Sequence, residues 1–277
     1  MSINADYLRL VDLMTEALPP AQLAGLYLPA LLEDGEYRDE FGFVFLADGT
    51  VGPFYVSLEP TLMVLRERYP RPGEARGDPV ELARGLSGGD LAGRALAVGA
   101  FNVLSRRLMR CAGFEPPDRG EAKEVPAEGA GPVGIVGYFC AVVDRLVAAG
   151  REVLVLERQP ERVPQRPHVR LTTRPSDLAE CGQVLCTASV LINDTLDELL
   201  EASPGSAFEL IGPTGSGLPD ALFARGVRSV GGIAFDDPDR LTAVLARGDS
   251  WGSAGRKYQL RPEDYPGAEA LITRCRG

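Results

Sequence analysis

Glu157 and three glycine- or hydroxyl-containing loops are the parts of this sequence whose residue types and spacing could support chemistry. Glu157 directly follows the apolar run VLVL at 153–156. An acid at the end of the second strand of a dinucleotide-type βαβ unit accepts hydrogen bonds from ribose hydroxyls. The first loop, GYF at 137–139, precedes a predicted helix, whose unpaired backbone N–H groups would attract an anion or a carboxylate. Together these features indicate either a small-molecule site or an unliganded βαβ turn.

The second loop, residues 187–195, has the sequence TASVLINDT and ends in three polar side chains, Asn193, Asp194 and Thr195. They lie at a predicted helix start, where Thr195 could cap the helix with Glu198 as its capping-box partner. The same side chains could instead hold the polar end of a ligand. The sequence leaves both roles open.

The third loop, GPTGSG at 212–217, matches the glycine spacing of a phosphate loop. Leu218 and Pro219 stand where such a loop requires lysine and serine or threonine. Hydrolysis of a nucleoside triphosphate is therefore disfavoured. The loop is either a backbone nest for a carboxylate or a single phosphate, or a plain glycine-rich connection.

The chain contains no recognisable pair of nucleophile and base. Ser189 and Ser216 have no histidine in a motif around them, and His168, the only histidine, lies in a proline-flanked loop. Tyr138, Glu157 and Asp194 are the titratable candidates for acid or base roles. A cleft that only positions a reactive ligand is equally consistent with these residues.

Residues 131–158 must position the first loop and Glu157. The segment is predicted to form a strand at 133–136, a turn at Gly137, an amphipathic helix ended by Gly150, and a strand at 153–156. Its GxxG spacing is only part of a dinucleotide fingerprint, and bulky Tyr138, Phe139 and Cys140 follow the turn. A complete pyrophosphate-binding NAD site is therefore less favoured than either alternative given above.

The alternation of strands and helices continues to the end of this half. Further strands are predicted at 169–171, 183–187, 208–211 and, as the last strand, 227–230; helices are predicted at 176–180, 194–201, 219–224 and 238–246. This order predicts a doubly wound parallel sheet. Because ligands bind at the carboxyl ends of such strands, the three loops should gather at one edge.

The first half of the chain has a different pattern. A helix is predicted at 7–18, and an antiparallel sheet is predicted from the runs at 26–28, 43–46 and 54–58, with Ala47-Asp48-Gly49 as a hairpin turn between the last two. Further helices are predicted at 62–69, 80–86 and 90–111. Asn102 is a polar residue inside the long helix. It either contacts a ligand or the other domain, or is a solvent-facing or internally satisfied amide, the interpretation we favour.

Residues 115–130 are rich in proline and charge and predict an interdomain linker. The expected fold class is α/β, with a small α+β domain at 1–114 followed by a Rossmann-like doubly wound domain at 131–277. The C-terminal stretch 248–277 could cover the cleft, pack across a dimer partner or wrap the surface.

Composition limits the class of protein and its partners. The 277 residues carry a net charge of −10, which argues against nucleic acid and anionic membranes as partners. No apolar stretch approaches the roughly 18 residues needed to span a bilayer, and no signal-peptide layout opens the chain, so a cytoplasmic protein is expected. The five cysteines are scattered, which favours buried free thiols over a structural zinc site.

Several stretches resemble one known family. GIVGYF, VLVLER, TASVLINDTLDELL, IGPTGSGLPDALFARGVRSVGG and, before the linker, DPVELARGLSGGDLAGRALAVGAFNVLS are similar to the putative heavy-metal chelation family over about two-thirds of the chain. The resemblance implies an enolase-N-terminal-like domain, a Rossmann-like domain and a ligand cleft between them. The chain departs from the family at Cys140, where proline is usual, and in the extra glycines of the third loop.

Three functional hypotheses follow. The first is an enzyme or binding protein for an adenosyl-type metabolite such as S-adenosylmethionine, with a transferase or lyase favoured and Tyr138 and Asp194 as catalytic candidates. The second is a heavy-metal or metal-chelate binding protein, as the resemblance implies, with a divalent metal as cofactor. The third is a non-catalytic scaffold. A homodimer is expected. The residues expected to bind the adenosyl ligand are Gly137, Phe139, Glu157, Arg158, Thr187, Asn193, Thr195, Gly212, Pro213, Thr214, Ser216 and Asn102.

Overall fold

The computed structural model describes residues 2–30, 39–118 and 131–277. Most of the predicted linker, residues 119–130, therefore lies outside the described residues. The first half contains the elements α1 (Ile3–Ala17), β1 (Leu23–Tyr27), β2 (Phe41–Leu46), β3 (Val51–Tyr55), α2 (Thr61–Arg68), α3 (Pro79–Ala83) and α4 (Leu91–Cys111). These agree with the predicted helices and with the three apolar runs.

The three strands form an antiparallel sheet in the order β1-β2-β3, as predicted. A tight turn joins β2 to β3, with the Gly49 N–H donating to the Leu46 carbonyl oxygen at 3.0 Å. The Asp48 carboxylate accepts from the Thr50 N–H at 3.0 Å. Asp48 and Gly49 therefore form the hairpin that their residue types predicted.

Helix α4 lies at the centre of the molecule. Asp90 caps its first turn by accepting from the Gly93 N–H at 2.7 Å. Most of its residues are buried, because it packs against β3 and also against elements of the second half. The contact with β3 requires glycine, since a Cβ on Gly52 would collide with the carbonyl oxygen of Gly99 in α4.

The second half forms the larger sheet and its helices. Its elements are β4 (Val133–Val136), α5 (Cys140–Ala148), β5 (Val153–Leu156), β6 (Val169–Thr172), β7 (Gln183–Thr187), α6 (Val190–Asn193), α7 (Leu196–Ala202), β8 (Ala207–Ile211), α8 (Asp220–Phe223), β9 (Ser229–Ala234), α9 (Pro238–Arg247), β10 (Arg256–Leu260) and α10 (Ala268–Arg276).

The order of the larger sheet is β10-β9-β8-β7-β4-β5-β6. Its strands pair in parallel except for β10, which is antiparallel to β9. This is the Rossmann-like doubly wound order that the alternation predicted, extended by one antiparallel edge strand. The chain crosses from β4 to β5 on one side and from β7 to β8 on the other. A crevice between the ends of β4 and β7 is therefore the place where ligands bind in such sheets.

Two predictions about the elements were wrong. The chain continues beyond the predicted last strand and helix into β10 and α10, because Tyr258, Leu260, Leu271 and Ile272 bury apolar side chains within a glycine- and charge-rich segment. The helix predicted to start at 194 begins later. Asp194 adopts a left-handed conformation with φ 60°, and α7 starts at Leu196 without a side-chain cap from Thr195.

The two halves share buried contacts. One hydrophobic cluster includes Phe101 and Leu104 of α4 together with Leu191 and Leu218 of the second half. The β1–β3 sheet also packs against the C-terminal segment, since Phe43 lies edge-on to Trp251 with ring centroids 5.7 Å apart. Within the chain, Trp251 therefore covers the small sheet.

The cysteines depart from the prediction of free buried thiols. Cys111 and Cys275 form a disulfide with Cα atoms 5.2 Å apart, because α10 folds back onto the end of α4. Cys140 is exposed, and only Cys181 and Cys186 are free and buried. Burial raises the pKa of the Cys181 thiol to about 11 and that of Cys186 well above its ordinary value.

Candidate functional site

The first loop and Glu157 meet at the carboxyl edge of the larger sheet. The Gly137 N–H donates to the carbonyl oxygen of Leu156 at 3.0 Å, so the turn after β4 is tied to the end of β5. Gly137 has φ 82°, and a Cβ there would lie 3.1 Å from the Thr187 methyl group. A glycine is needed both for the turn and for the close approach of β7.

The second loop begins at the same edge and touches the third. The Thr187 and Ser189 hydroxyl oxygens lie 3.0 Å apart, and Ser189 was not among the predicted site residues. The Ala188 N–H donates to the Ile211 carbonyl oxygen at 2.9 Å. This bond joins the turn after β7 to the start of the third loop, so all three loops adjoin at one edge.

The remaining residues of the second loop lie farther away. Asn193, Asp194 and Thr195 follow the four-residue helix α6, which places them about 6 Å along its axis from the Thr187 turn. The Thr195 hydroxyl donates to the Asn193 side-chain oxygen at 2.6 Å, and Asp194 is exposed. Of the two roles that the sequence left open for Thr195, capping of the next helix is therefore not the one that forms.

The third loop is a compact turn with its side chains turned inward. Pro213 starts a short 3-10 turn after Gly212, which has φ 117°. The Ser216 hydroxyl donates to the Pro213 carbonyl oxygen at 2.6 Å and accepts from the Ile233 N–H at 3.0 Å. Thr214 and Ser216 are both buried, so their side chains stabilise the loop, while Gly212 and Pro213 lie at its start.

Asn102 connects the third loop to the first half of the chain. Its side-chain amide donates to the carbonyl oxygens of Pro53 at 2.8 Å and Thr214 at 3.0 Å, and the residue is 1% exposed. The hydrogen bond to the other half of the chain, which was the less favoured alternative, is the one that forms. Asn102 therefore holds the third loop by a direct hydrogen bond, and its amide does not face solvent.

Tyr55 of the first half lies close enough to Glu157 for that carboxylate to affect its ionisation, a relationship that sequence reasoning missed. Burial raises the pKa of Tyr55 above its ordinary value, the neighbouring Glu40 carboxylate raises it further, and the Glu157 carboxylate adds a smaller effect. The direct partner of the Tyr55 hydroxyl is Glu40, to which it donates at 3.2 Å, and the phenol is protonated at neutral pH. Glu157 is half-buried and accepts from the Gln159 N–H at 3.1 Å, whereas Arg158 is exposed. No local pattern links Tyr55 to Glu157, because they are about a hundred positions apart.

Tyr138 takes part in a polar cluster at the start of α5. Arg166 donates to the Tyr138 hydroxyl at 3.0 Å and also pairs with Asp144. Cys140 donates to Asp144 at 3.4 Å. Partial burial raises the pKa of Tyr138 despite the nearby guanidinium, so its phenol is a hydrogen-bond donor or acceptor rather than a base. The adjacent Phe139 packs against the apolar layer under α5.

The donor side chains of the described residues do not form a heavy-metal site. Within residues 2–30, 39–118 and 131–277, no group of three or more His, Cys, Asp or Glu side chains could hold a metal ion. All five cysteines and His168 lie in these ranges. His168 contacts Glu152 at 2.6 Å beside the amino end of β5, away from the three loops. Burial keeps the Cys181 and Cys186 thiols protonated, whereas soft metals require thiolates.

A cavity of about 580 Å³ lies where α4, the β2–β3 hairpin and the start of β10 meet. Arg106 enters it from α4 and pairs with Glu115 at 2.9 Å and Asp236 at 2.8 Å. Arg256 pairs with the same two carboxylates. These four side chains join both halves and the first residue of the predicted linker, which gives them a structural role.

No helix among the described residues has the length and apolar character needed to cross a membrane.

Comparison with known proteins supports the family resemblance. A family model described as putative heavy-metal chelation, DUF364, matches residues 122–262, and no curated protein matches the chain. A solved DUF364 structure of unknown function from Pyrococcus horikoshii aligns with a TM-score of 0.68 and 19% identity, covering 94% of this chain and 98% of that one. A second, from Desulfitobacterium hafniense DCB-2, gives 0.64 and 19%, covering 93% and 98%. The family match spans more than half of the sequence, and the chain belongs to the DUF364 family.

Proposed function

We propose that the chain binds a small adenosyl-type metabolite, such as S-adenosylmethionine, at the carboxyl edge of the larger sheet. The observation that carries the proposal is the hydrogen bond from the Gly137 N–H to the Leu156 carbonyl oxygen. It places the turn after β4 directly beside Glu157, next to the crevice between β4 and β7. This is the position from which a strand-terminal carboxylate accepts from ribose hydroxyls.

The surrounding groups suit the other parts of such a ligand. Helix α5 has no side-chain cap at Phe139, so its first N–H groups are available to a carboxylate. The Thr187 and Ser189 hydroxyls lie at the end of β7, next to the Gly137 turn. Tyr55 would add an aromatic ring from the first half, while its hydroxyl donates to Glu40. The bulky Tyr138 and Phe139 side chains leave little room for a pyrophosphate, which favours a ligand with one carboxylate.

The chain's own residues would bind and orient the ligand. When bound, S-adenosylmethionine supplies an electrophilic sulfonium. Glu157 would hold the ribose, and the protonated Tyr138 phenol, held by Arg166, would donate a hydrogen bond without removing a proton. A transferase or lyase is the class we favour, with Tyr138 as the candidate catalytic residue, because Asp194 is exposed beyond α6 and lies away from the Thr187 turn.

Isothermal calorimetry of the metal-stripped protein with S-adenosylmethionine tests the proposal. We expect binding that Glu157→Ala weakens roughly 10- to 100-fold, the effect of losing hydrogen bonds to a charged group. Glu152→Ala is the matched control, because it removes an acid from the amino end of the same strand and should leave the affinity unchanged. Equal loss in both variants, or no binding to the native protein, would refute the proposal.

The family description suggests a second function, binding of a metal ion or a metal chelate. The described side chains give this function no donor cluster, and it rests on the family resemblance alone. Metal analysis of protein purified without an affinity tag distinguishes the two. A stoichiometric metal, or a large stability gain on adding a divalent ion to stripped protein that ignores S-adenosylmethionine, would favour the metal function. Light scattering tests the expected homodimer in the same samples.

A further inference from the structure

The disulfide between Cys111 and Cys275 joins two elements that also hold the third loop. Cys111 is the last residue of α4, the helix that carries Asn102, and Cys275 lies near the end of α10. The bond closes a separation of 164 residues. It therefore fixes the C-terminal helix to the central helix.

Apart from the disulfide, α10 is attached by hydrogen bonds at both ends, and at its far end Arg276 donates to the Glu16 carbonyl oxygen of α1 at 3.2 Å. At its start, Asp220 accepts from the Ala268 N–H at 2.8 Å and from the Tyr265 hydroxyl at 2.6 Å. Along its length it buries only Ala268, Leu271 and Ile272. A nine-residue helix is not stable alone in water, so the bond at its far end contributes substantially to its docking.

The attachment at the start of α10 leads back to the third loop. Asp220 follows directly after residues 212–219, and Thr214 in that loop accepts from Asn102 on α4. The segment 212–220 is thus held at Thr214 by α4 and at Asp220 by the start of α10. The disulfide joins the far ends of these two helices.

We infer that this disulfide is a redox-sensitive clamp that controls the docking of α10 and, through Asp220, the order of residues 212–224. Cys111 is exposed, so a dithiol reductant can reach its sulfur. The dithiol gives two electrons and two protons, the S–S bond breaks, two thiols form at Cys111 and Cys275, and the dithiol becomes a disulfide. Cys181 and Cys186 are buried and take no part. The inference does not depend on which molecule the cleft binds.

The first test is to count the thiols that react in the folded protein. Iodoacetamide labelling of the oxidised protein should modify Cys140 alone, and labelling after dithiothreitol treatment should add Cys111 and Cys275, as read by peptide mass spectrometry. Labelling of Cys111 before reduction would overturn the inference, because it would show that the bond does not form.

The second test measures the consequence of reduction. Dithiothreitol should lower the melting temperature by roughly 5–15 °C and speed hydrogen exchange in residues 265–277 and 212–224, while α9 stays unchanged as an internal reference. The double variant Cys111→Ser with Cys275→Ser should behave like the reduced protein and ignore dithiothreitol. Unchanged exchange at 212–224 on reduction would overturn the coupling, even with a lower melting temperature.

Discussion

Asn102 of the central helix donates a 3.0 Å hydrogen bond to the carbonyl oxygen of Thr214. The same amide donates to Pro53 at 2.8 Å, so one buried side chain holds a strand of the small sheet and a loop of the large sheet. The position of the third loop relative to the cleft therefore depends on an element of the first half.

Replacing Asn102 with alanine should be strongly destabilising. Two buried carbonyl oxygens would lose their donor, at a cost of about 2–4 kcal/mol in the free energy of unfolding. Urea denaturation measures the change, and hydrogen exchange at residues 212–217 should rise. Asn193→Ala, which removes a half-buried amide that contacts Thr195, is the control and should cost less than about 1 kcal/mol. A similar loss in the free energy of unfolding for the two variants would show that the hydrogen bonds from Asn102 to Pro53 and Thr214 contribute little to stability.

Alanine substitutions at two glycines with similar positive φ angles distinguish the effect of backbone strain from an effect on ligand binding. Gly137 and Gly150 have φ 82° and 72°, so alanine at either should cost about 1–2 kcal/mol. Only Gly137 is close to another element, with Thr187 3.1 Å from a Cβ, whereas Gly150 has open space around it. Calorimetry should therefore show weaker ligand binding for Gly137→Ala and unchanged binding for Gly150→Ala. The opposite order would place the ligand elsewhere.

Arg106 and Arg256, the two arginines that pair with Glu115 and Asp236 between the two halves, should differ in their contribution to stability. The Arg106 side chain is 8% exposed and that of Arg256 is 26% exposed, although both pair with Glu115 and Asp236. Because the carboxylates are about half exposed, we expect Arg106→Met to lower the free energy of unfolding by about 1–3 kcal/mol and Arg256→Met by less. Urea denaturation at low and high salt compares them. A larger loss for Arg256→Met would contradict the burial argument.

The stability of the fold should decrease in alkali. Burial raises the pKa of Cys181 from 9.0 to about 11 and that of Tyr258 from 10.0 to about 12. Above pH 9 the unfolded chain releases these protons before the folded chain does, so rising pH favours unfolding, and the Cys181 contribution is lost through pH 9–11. The unfolding free energy of Cys181→Ala should fall less steeply over this range than that of the native protein. Cys140→Ala, which removes an exposed thiol, should keep the native slope.

Local patterns in the sequence were sufficient for most of the elements. Alternating apolar runs, the Asp48-Gly49 hairpin and the glycine turn at 137 act over a few residues, so their physical causes are visible in a short window. The order of strands and helices likewise predicted the doubly wound sheet and the edge at which the loops adjoin, since connection handedness limits the possible topologies. The prediction failed at β10 and α10, where short amphipathic segments are stabilised by burial against distant elements.

The partners of the site residues were decided by the tertiary structure. The sequence by itself determined that Gly137 would turn, that Glu157 would end a strand and that Asn102 would lie on a helix. Only the packed chain brought Asn102 to Thr214 and Cys111 to Cys275. These pairs are separated by about 100 residues or more, and their contacts form because α4 is buried between the two sheets. Burial against elements far along the chain leaves no periodic signal around either partner. The sequence alone therefore could not show which residues contact each other.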